Sequence, residues 1–132
     1  PTKMKLKVKN SFKLNIPGTP ISFNVQERMH WSKWHKVKQQ WIQDIFFLLK
    51  ENGHSMPMGL NHIWVKSIVM TFTQMRYRDE SNYEPTIIKP LLDALVYAKI
   101  IKDDTDEYVT RPGAVDIKIG KKAGTEITLE WE

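Results

Sequence analysis

Three patterns in the sequence predict an α/β fold: a single-domain, two-layer sandwich in which a mixed β-sheet carries two main helices, mainly on one face. Runs near both ends of the chain alternate apolar and polar side chains, as half-buried strands do. Two longer stretches repeat apolar residues every three or four positions, as amphipathic helices do. The order is strand, helix, strand, helix and a C-terminal β-hairpin, and the 132 residues suit one domain, 1–132.

The first predicted strand alternates lysine with apolar residues over 3–9 and continues to residue 16. Its apolar positions are Met4, Leu6, Val8, Phe12, Leu14 and Ile16. The sequence Pro-Gly-Thr-Pro at 17–20 then predicts a turn or an extended break. Residues 21–31 show no clear period, and we interpret them as a long polar and aromatic loop with groups able to contact phosphates or stack on bases.

The first predicted helix covers 32–52. Its apolar stripe consists of Trp34, Val37, Trp41, Ile42, Ile45, Leu48 and Leu49. We expect Ser32 to cap its start and Asn52-Gly53 to end it. The run from Ile63 to Phe72 is apolar on both faces, which predicts the central strand of the sheet.

The second predicted helix begins near Pro85, a residue well suited to a first helical turn. Its buried stripe consists of Ile87, Ile88, Leu91, Leu92, Leu95 and Val96. Lys89 and Asp93 lie on the opposite face, and Pro90 predicts a kink or a division into two short helices. Alternating runs at 115–119 and 127–131 around a glycine-rich turn predict the C-terminal hairpin.

Composition narrows the possible functions. The absence of cysteine excludes disulfides, zinc fingers and cysteine nucleophiles, and no stretch approaches the roughly 20 apolar residues of a membrane span. We therefore expect a soluble, cytoplasmic protein. Residues 1–50 hold ten Lys and Arg residues, among them Arg28 and Lys36, against only Glu27 and Asp44. This half of the chain favours binding to a polyanion, although basic residues also serve simply as solvated faces.

Acidic residues are concentrated in one stretch of this basic chain. Eight of the fifteen lie between Asp79 and Glu107. Asp79 follows the central strand, whereas Asp103, Asp104 and Asp106 follow the second helix, and we expect these carboxylates to meet at one end of a strand. Such groups suit Mg²⁺, which prefers oxygen ligands. A solvated turn beside a charged helix end is the alternative interpretation.

The order and spacing of several short motifs resemble those of the RusA family of Holliday-junction resolvases. The motifs are Ile16 to Asn24, Arg78-Asp79, Asn82, Lys89, Asp93-Ala94-Leu95 and Ile101 to Asp104. The resemblance covers most of the chain. It implies a single nuclease domain, a homodimer, bacterial or phage origin, and Mg²⁺-dependent cleavage of four-way DNA junctions, with Mn²⁺ able to substitute.

The resemblance also implies roles for individual residues. Asp79 and Asp104 match metal-binding catalytic aspartates, Asp103 is a weaker third metal ligand, and Lys89 matches an essential lysine that steadies developing negative charge. The residues implied to contact DNA, together with those of the basic half, are Arg28, Lys36, Arg78, Asn82 and Lys89.

Two departures from the family pattern leave alternatives open. Ser81 stands where the family usually has a second aspartate, and about four residues are inserted between Asn82 and Lys89. Glu80 or Glu84 would have to supply the missing carboxylate. A catalytically impaired protein that only binds branched DNA is therefore a second hypothesis, and an unrelated basic DNA-binding regulator is a third.

Overall fold

The computed structural model describes residues 10–51, 56–112 and 115–132 and confirms an α/β fold with a mixed sheet. Its elements are β1 (Asn10–Pro17), α1 (Phe23–Arg28), α2 (Trp31–Lys50), β2 (Ile63–Phe72), a 3₁₀ helix (Glu80–Asn82), α3 (Glu84–Tyr97), β3 (Val109–Thr110), β4 (Val115–Ile119) and β5 (Gly124–Trp131). The predicted strand at 3–9 lies outside the described residues, but its continuation through Leu14 and Ile16 is β1. None of the described helices is long and apolar enough to cross a bilayer.

The sheet is organised around β2, as predicted for the central strand. β5 pairs antiparallel with both β1 and β2, while β3 and β4 pair parallel with the other edge of β2. The predicted C-terminal hairpin is therefore wrong, because β2 lies between β4 and β5. Alternation identifies each of the two strands correctly, but it carries no information about which neighbour each strand hydrogen-bonds.

One face of the sheet is buried beneath the helices. Thr125, Ile127, Leu129 and Trp131 of β5 are buried, and the residues between them are half-exposed. A β-bulge at Lys66 resets the alternation of β2, so that Val65 and Ile68 both face the core. The bulge, together with half-buried Trp64 and Val69 on the other face, explains why β2 is apolar on both faces in sequence.

α2 agrees with the prediction in extent but not in its cap. His30 is the N-cap residue, and its Nδ1 accepts a hydrogen bond of 3.2 Å from the backbone N–H of Ser32. Ser32 thus lies inside the helix. The helix ends at Lys50, and the expected stop at Asn52-Gly53 falls outside the described residues. The buried part of the predicted stripe is its C-terminal half, Ile42, Ile45 and Leu49.

α1 occupies the stretch that the sequence predicts to be a loop, and that prediction is wrong. Ser22 caps this short helix, its hydroxyl accepting a hydrogen bond of 3.2 Å from the N–H of Val25. None of the residues of α1 is buried, so the helix leaves no apolar period in the sequence. Its capping serine is the only local signal of its presence.

α3 runs without interruption from Glu84 to Tyr97, with Pro85 in its first turn as predicted. The predicted division at Pro90 is wrong. Proline costs a helix interior about 3 kcal/mol, because it lacks an N–H and crowds the preceding turn. Pro90 is buried together with Ile87 and Leu91, so packing against the rest of the core offsets the loss.

The C-terminus of α3 closes in a Schellman motif built on a lysine. The N–H of Ile100 bonds to the carbonyl of Leu95, and the N–H of Lys99 bonds to that of Val96, both at 3.0 Å. Lys99 adopts a φ of 62°, in the left-handed region that favours glycine. The motif turns the chain back toward the start of β2, where the N–H of Leu60 bonds to the carbonyl of Ile100 at 2.7 Å.

Lys99→Gly should therefore stabilise the protein. A left-handed conformation costs a residue with a Cβ atom about 1–2 kcal/mol, and glycine removes that cost from the folded state. Glycine also gives the unfolded chain more conformational freedom, which cancels part of the stabilisation. We expect a net increase of about 0.5–1 kcal/mol in the free energy of unfolding, measured by urea denaturation. Exposed Lys102, whose φ is not positive, provides the control: Lys102→Gly should be neutral or destabilising. A loss of stability in Lys99→Gly would contradict the strain argument.

Candidate functional site

The loop that follows β2 is anchored on a group of stacked side chains. Phe72, the last residue of β2, contacts the ring of Tyr83 edge to face with 5.2 Å between centroids. The guanidinium of Arg78 lies 4.0 Å from the centroid of the Phe72 ring, a cation–π contact. Its Nη1 donates to the carbonyl of Gln74 at 2.9 Å and to that of Arg76 at 3.4 Å. Arg78, a predicted DNA contact, is thus engaged with its own loop.

Asp79 lies at the start of the 3₁₀ helix and caps it. Its Oδ1 accepts hydrogen bonds from the backbone N–H of Ser81 at 3.1 Å and from the Ser81 hydroxyl at 2.9 Å. The side chain is exposed, and its second oxygen has no partner among the described residues. Ser81 therefore does not merely lack the carboxylate that the resemblance leads one to expect. Its hydroxyl also occupies an oxygen of Asp79.

Two hydrogen bonds attach the N-terminal half of the chain to the site. Asn82 Oδ1 accepts from the backbone N–H of Asn24 in α1 at 3.1 Å. The buried hydroxyl of Thr86, in the first turn of α3, donates to the carbonyl of Ile21 at 2.6 Å and of Tyr83 at 3.0 Å. Asn82, predicted to contact DNA, thus positions α1. The sequence gives no local signal for these contacts, because they join residues far apart in the chain.

A lysine and two aspartates from two segments form a charged cluster. Lys89 Nζ lies 3.1 Å from Asp93 Oδ1, one helical turn further along α3, and 3.7 Å from Asp104 Oδ2. Lys89 and Asp104, both predicted site residues, are therefore brought together. Asp93 is an additional member, and its i, i+4 spacing from Lys89 is the signal that could have identified it. We call Lys89, Asp93 and Asp104 the lysine cluster.

The carboxylates of the lysine cluster raise the pKa of Lys89. The hydrogen bond to Asp93 is the main cause, charge interactions with Asp93 and Asp104 add to it, and partial burial acts in the opposite direction. Lys89 is therefore an ammonium ion at neutral pH. It is suited to stabilising negative charge and not to accepting a proton.

The two acidic segments are attached to opposite ends of β2, and not to one end as expected. Asp79 follows the last residue of β2, whereas Asp104 precedes Val109, which pairs with the first residue, Ile63. α3 reduces this separation. Lys89 lies five residues into α3, about 7.5 Å from its start, and Asp104 reaches back to it. Asp79 stands just before the start of the same helix.

The donors in this region are of the kind that Mg²⁺ prefers. In the described part of the chain, no group of three or more His, Cys, Asp or Glu side chains is arranged to hold a metal. Asp103 Oδ1 accepts a 2.8 Å hydrogen bond from the N–H of Asp104, which shapes the turn. Mg²⁺ needs only one or two protein carboxylates, because waters and substrate phosphates complete its coordination. Asp104 and Asp79 each offer a carboxylate of this type, from segments attached to opposite ends of β2.

Two predicted DNA contacts are free cations. Arg28, at the end of α1, and Lys36, in α2, are exposed, and neither forms an ion pair with any residue that the structure describes. Their charges are available to an incoming anion.

Comparisons with known proteins leave the family open. No family model matches the chain, and no curated protein matches it. The resemblance to the RusA family therefore rests on the sequence motifs alone.

The pKa of Lys89 should fall more in Asp93→Asn than in Asp104→Asn, because Asp93 makes the shorter contact. Both values can be measured by NMR titration of the lysine Cε signal. The pKa of Lys89 is higher in the folded protein than in the unfolded chain, so its ion pairs stabilise the fold. This stabilisation is complete below the pKa of lysine in the unfolded chain. It is lost as the pH rises through the higher pKa of Lys89 in the folded protein. Asp106→Asn, at an exposed residue of the same turn, is the control and should change nothing. A larger fall in Asp104→Asn would contradict this assignment.

Proposed function

We propose that the protein is a Mg²⁺-dependent endonuclease that cuts four-way junctions and other branched DNA, as RusA-family resolvases do. The observation that carries the proposal is the lysine cluster. Lys89 and Asp104, singled out by the resemblance, are 15 positions apart in sequence, and their side chains approach within 3.7 Å. An unrelated basic DNA-binding regulator, the third hypothesis, would leave unexplained why the two residues that match the family's catalytic lysine and aspartate lie side by side.

The side chains have distinct roles in this proposal. Asp104 and Asp79 would hold Mg²⁺, with Asp103 shaping the turn that presents Asp104. When bound, the ion supplies a water that is nucleophilic near neutral pH and stabilises charge on the leaving oxygen. The Lys89 ammonium stabilises negative charge that develops on the phosphate. Arg28 and Lys36 contact the DNA backbone, whereas Arg78 and Asn82 hold the loop and α1 in place.

Paired cleavage of a four-way junction requires two sites related by symmetry. A homodimer with a two-fold axis presents two equal sites to two equal strands. We therefore include a homodimer in the proposal.

A second candidate function is binding of branched DNA without cleavage. The hydrogen bond from Ser81 Oγ to Asp79 Oδ1 favours it, because a hydroxyl carries no negative charge and occupies one of the oxygens that a metal would use. In this case the lysine cluster would serve only to hold the turn at 103–106 against α3.

Asp104→Asn distinguishes the two candidates. The substitution keeps the size of the side chain but removes the charge that a hard divalent cation needs. We expect junction cleavage in Mg²⁺ to fall on the order of 100-fold or more, while junction affinity stays level or rises. Cleavage is measured with end-labelled junctions, and affinity by fluorescence anisotropy. Asp106→Asn removes an equal charge nearby and should cut at the wild-type rate.

Two results would contradict the nuclease. Asp104→Asn that cuts at the wild-type rate would remove Asp104 from the site. Wild-type protein that binds junctions but cuts none in Mg²⁺ or Mn²⁺ would favour the binding protein. Thermal unfolding of both variants shows whether a lost activity reflects a lost fold.

Junction affinity should fall steeply between about 50 and 200 mM salt, with or without Mg²⁺, through release of counterions from DNA. Replacing Arg28 and Lys36 together by glutamine should lower the slope of log K against log salt by about two, one for each lost phosphate contact. Lys50→Gln, at the other end of α2, serves as the control and should leave the slope unchanged. A flat salt dependence of the wild type would refute the basic-surface argument.

A further inference from the structure

The loop after β2 exposes two large apolar side chains on either side of an arginine. Met75 is 86% exposed and Tyr77 is 90% exposed, and Arg76 between them is exposed as well. We call Met75, Arg76 and Tyr77 the loop tip. Tyr77 has the largest exposed fraction among the large hydrophobic residues that the structure describes. Two large apolar side chains exposed within three residues of each other are a denser apolar surface than a single exposed residue, and such surfaces often meet a partner.

The backbone of the loop tip is fixed from beneath. Arg78 Nη1 bonds to the carbonyls of Gln74 and Arg76, so one side chain holds the backbone on both sides of Met75. The guanidinium is itself held against Phe72, at the end of the central strand. Its Nε is buried without a hydrogen-bond partner among the described residues, so this atom is shielded from solvent although the side chain as a whole is half-buried. The loop tip therefore projects from the protein on a backbone that Arg78 holds in place.

The chemistry of the loop tip matches that of nucleic acid with exposed bases. An aromatic ring stacks on the face of any unpaired base, and such a contact is worth about 1–3 kcal/mol. A thioether is soft and fills irregular apolar gaps beside the stacked rings. Arg76, which has no ion pair in the described part of the chain, can meet the adjacent phosphate. A lipid surface or a second protein chain would also accept these side chains, but neither would account for their position two residues before Asp79.

The position of the loop tip links it to the candidate site. Tyr77 is two residues before Asp79, so their Cα atoms are at most about 7 Å apart. A base stacked on Tyr77 would bring its own phosphate toward Asp79. In an unbroken duplex the bases stack on one another and offer no free face, whereas the base pairs that meet at a branch point are separated more easily by an inserted ring.

We propose that the loop tip is a wedge that stacks Tyr77 on a base at the branch point of DNA, with Met75 beside it and Arg76 on the neighbouring phosphate. The tip thereby supplies selectivity for branched over continuous DNA. This inference rests on the proposed function only in taking branched DNA as the partner, and it does not require cleavage.

The test uses a four-way junction that carries 2-aminopurine next to the branch point, and a duplex of the same sequence as reference. The fluorescence of this base rises when it leaves the stack. Wild-type protein should raise the fluorescence of the junction and bind it more tightly than the duplex. Tyr77→Ala should abolish the rise and weaken junction binding about tenfold, with duplex affinity unchanged. Tyr77→Phe keeps the ring and should behave as the wild type does.

Phe47→Ala is the matched control. Phe47 is an aromatic residue of α2 that is 68% exposed, so its removal tests whether any exposed ring produces the effect. It should leave both fluorescence and affinity unchanged. Because all of these side chains are exposed, circular dichroism should show the same fold in every variant.

The outcomes separate the wedge from the nuclease. A fluorescence rise that needs Tyr77, without cleavage in Mg²⁺ or Mn²⁺, supports the wedge and refutes the nuclease. Junction cleavage with equal fluorescence and affinity in wild type and Tyr77→Ala refutes the wedge alone. Wild-type protein that binds no DNA refutes both. Tyr77-dependent binding to anionic lipid vesicles, or Tyr77-dependent dimerisation in light scattering, would show a different occupant and would also refute the wedge.

Discussion

The hydrogen bonding of β2 along both of its edges is the constraint on which the other elements depend. β5 occupies one edge in the antiparallel direction, and β3 and β4 occupy the other edge in the parallel direction. A parallel neighbour cannot follow β2 through a tight turn, so the chain must first return to the start of β2. α3 makes that return. The candidate site lies along the same path, with Asp79 before α3, Lys89 within it and Asp104 after it.

The charges gathered along this path suggest why a divalent cation belongs in the proposal. The lysine cluster combines one ammonium ion with two carboxylates, so it carries a net negative charge within a protein whose formal net charge is +5. A DNA phosphate that approached Asp104 would be repelled, because the single positive charge of Lys89 neutralises only one of the two carboxylates. A divalent cation bound at Asp104 would make the net charge of the cluster positive, and the phosphate would then be attracted. Free cations such as Arg28 and Lys36 can attract DNA to the surface, but they lie in other segments.

Elements with a strong internal period could be predicted from the sequence. The extents of α2 and α3 follow from apolar spacing, the bounds of β2 follow from its continuous apolar run, and the Lys89–Asp93 pair follows from helical geometry. Features that depend on distant residues could not be predicted from local pattern. The insertion of β2 between β4 and β5, the bond from Asn24 to Asn82 and the approach of Asp104 to Lys89 all belong to this group. Only the resemblance to a family placed Lys89 and Asp104 in one site.

Arg78 shows how the loop after β2 can be exposed and still be attached to the rest of the fold. Such a loop contains few buried apolar groups, and it would ordinarily be free to adopt many conformations. Arg78 restricts this freedom by donating hydrogen bonds to two carbonyls of the loop. Its contact with the Phe72 ring holds the loop against the end of the central strand. Leaving Nε buried without a partner is unfavourable, and the cation–π contact offsets part of that cost. Because Asp79 directly follows Arg78, the side chain that supports the loop tip also determines where the first candidate carboxylate stands. The position of the loop tip and that of the candidate carboxylate therefore depend on the same contacts of Arg78.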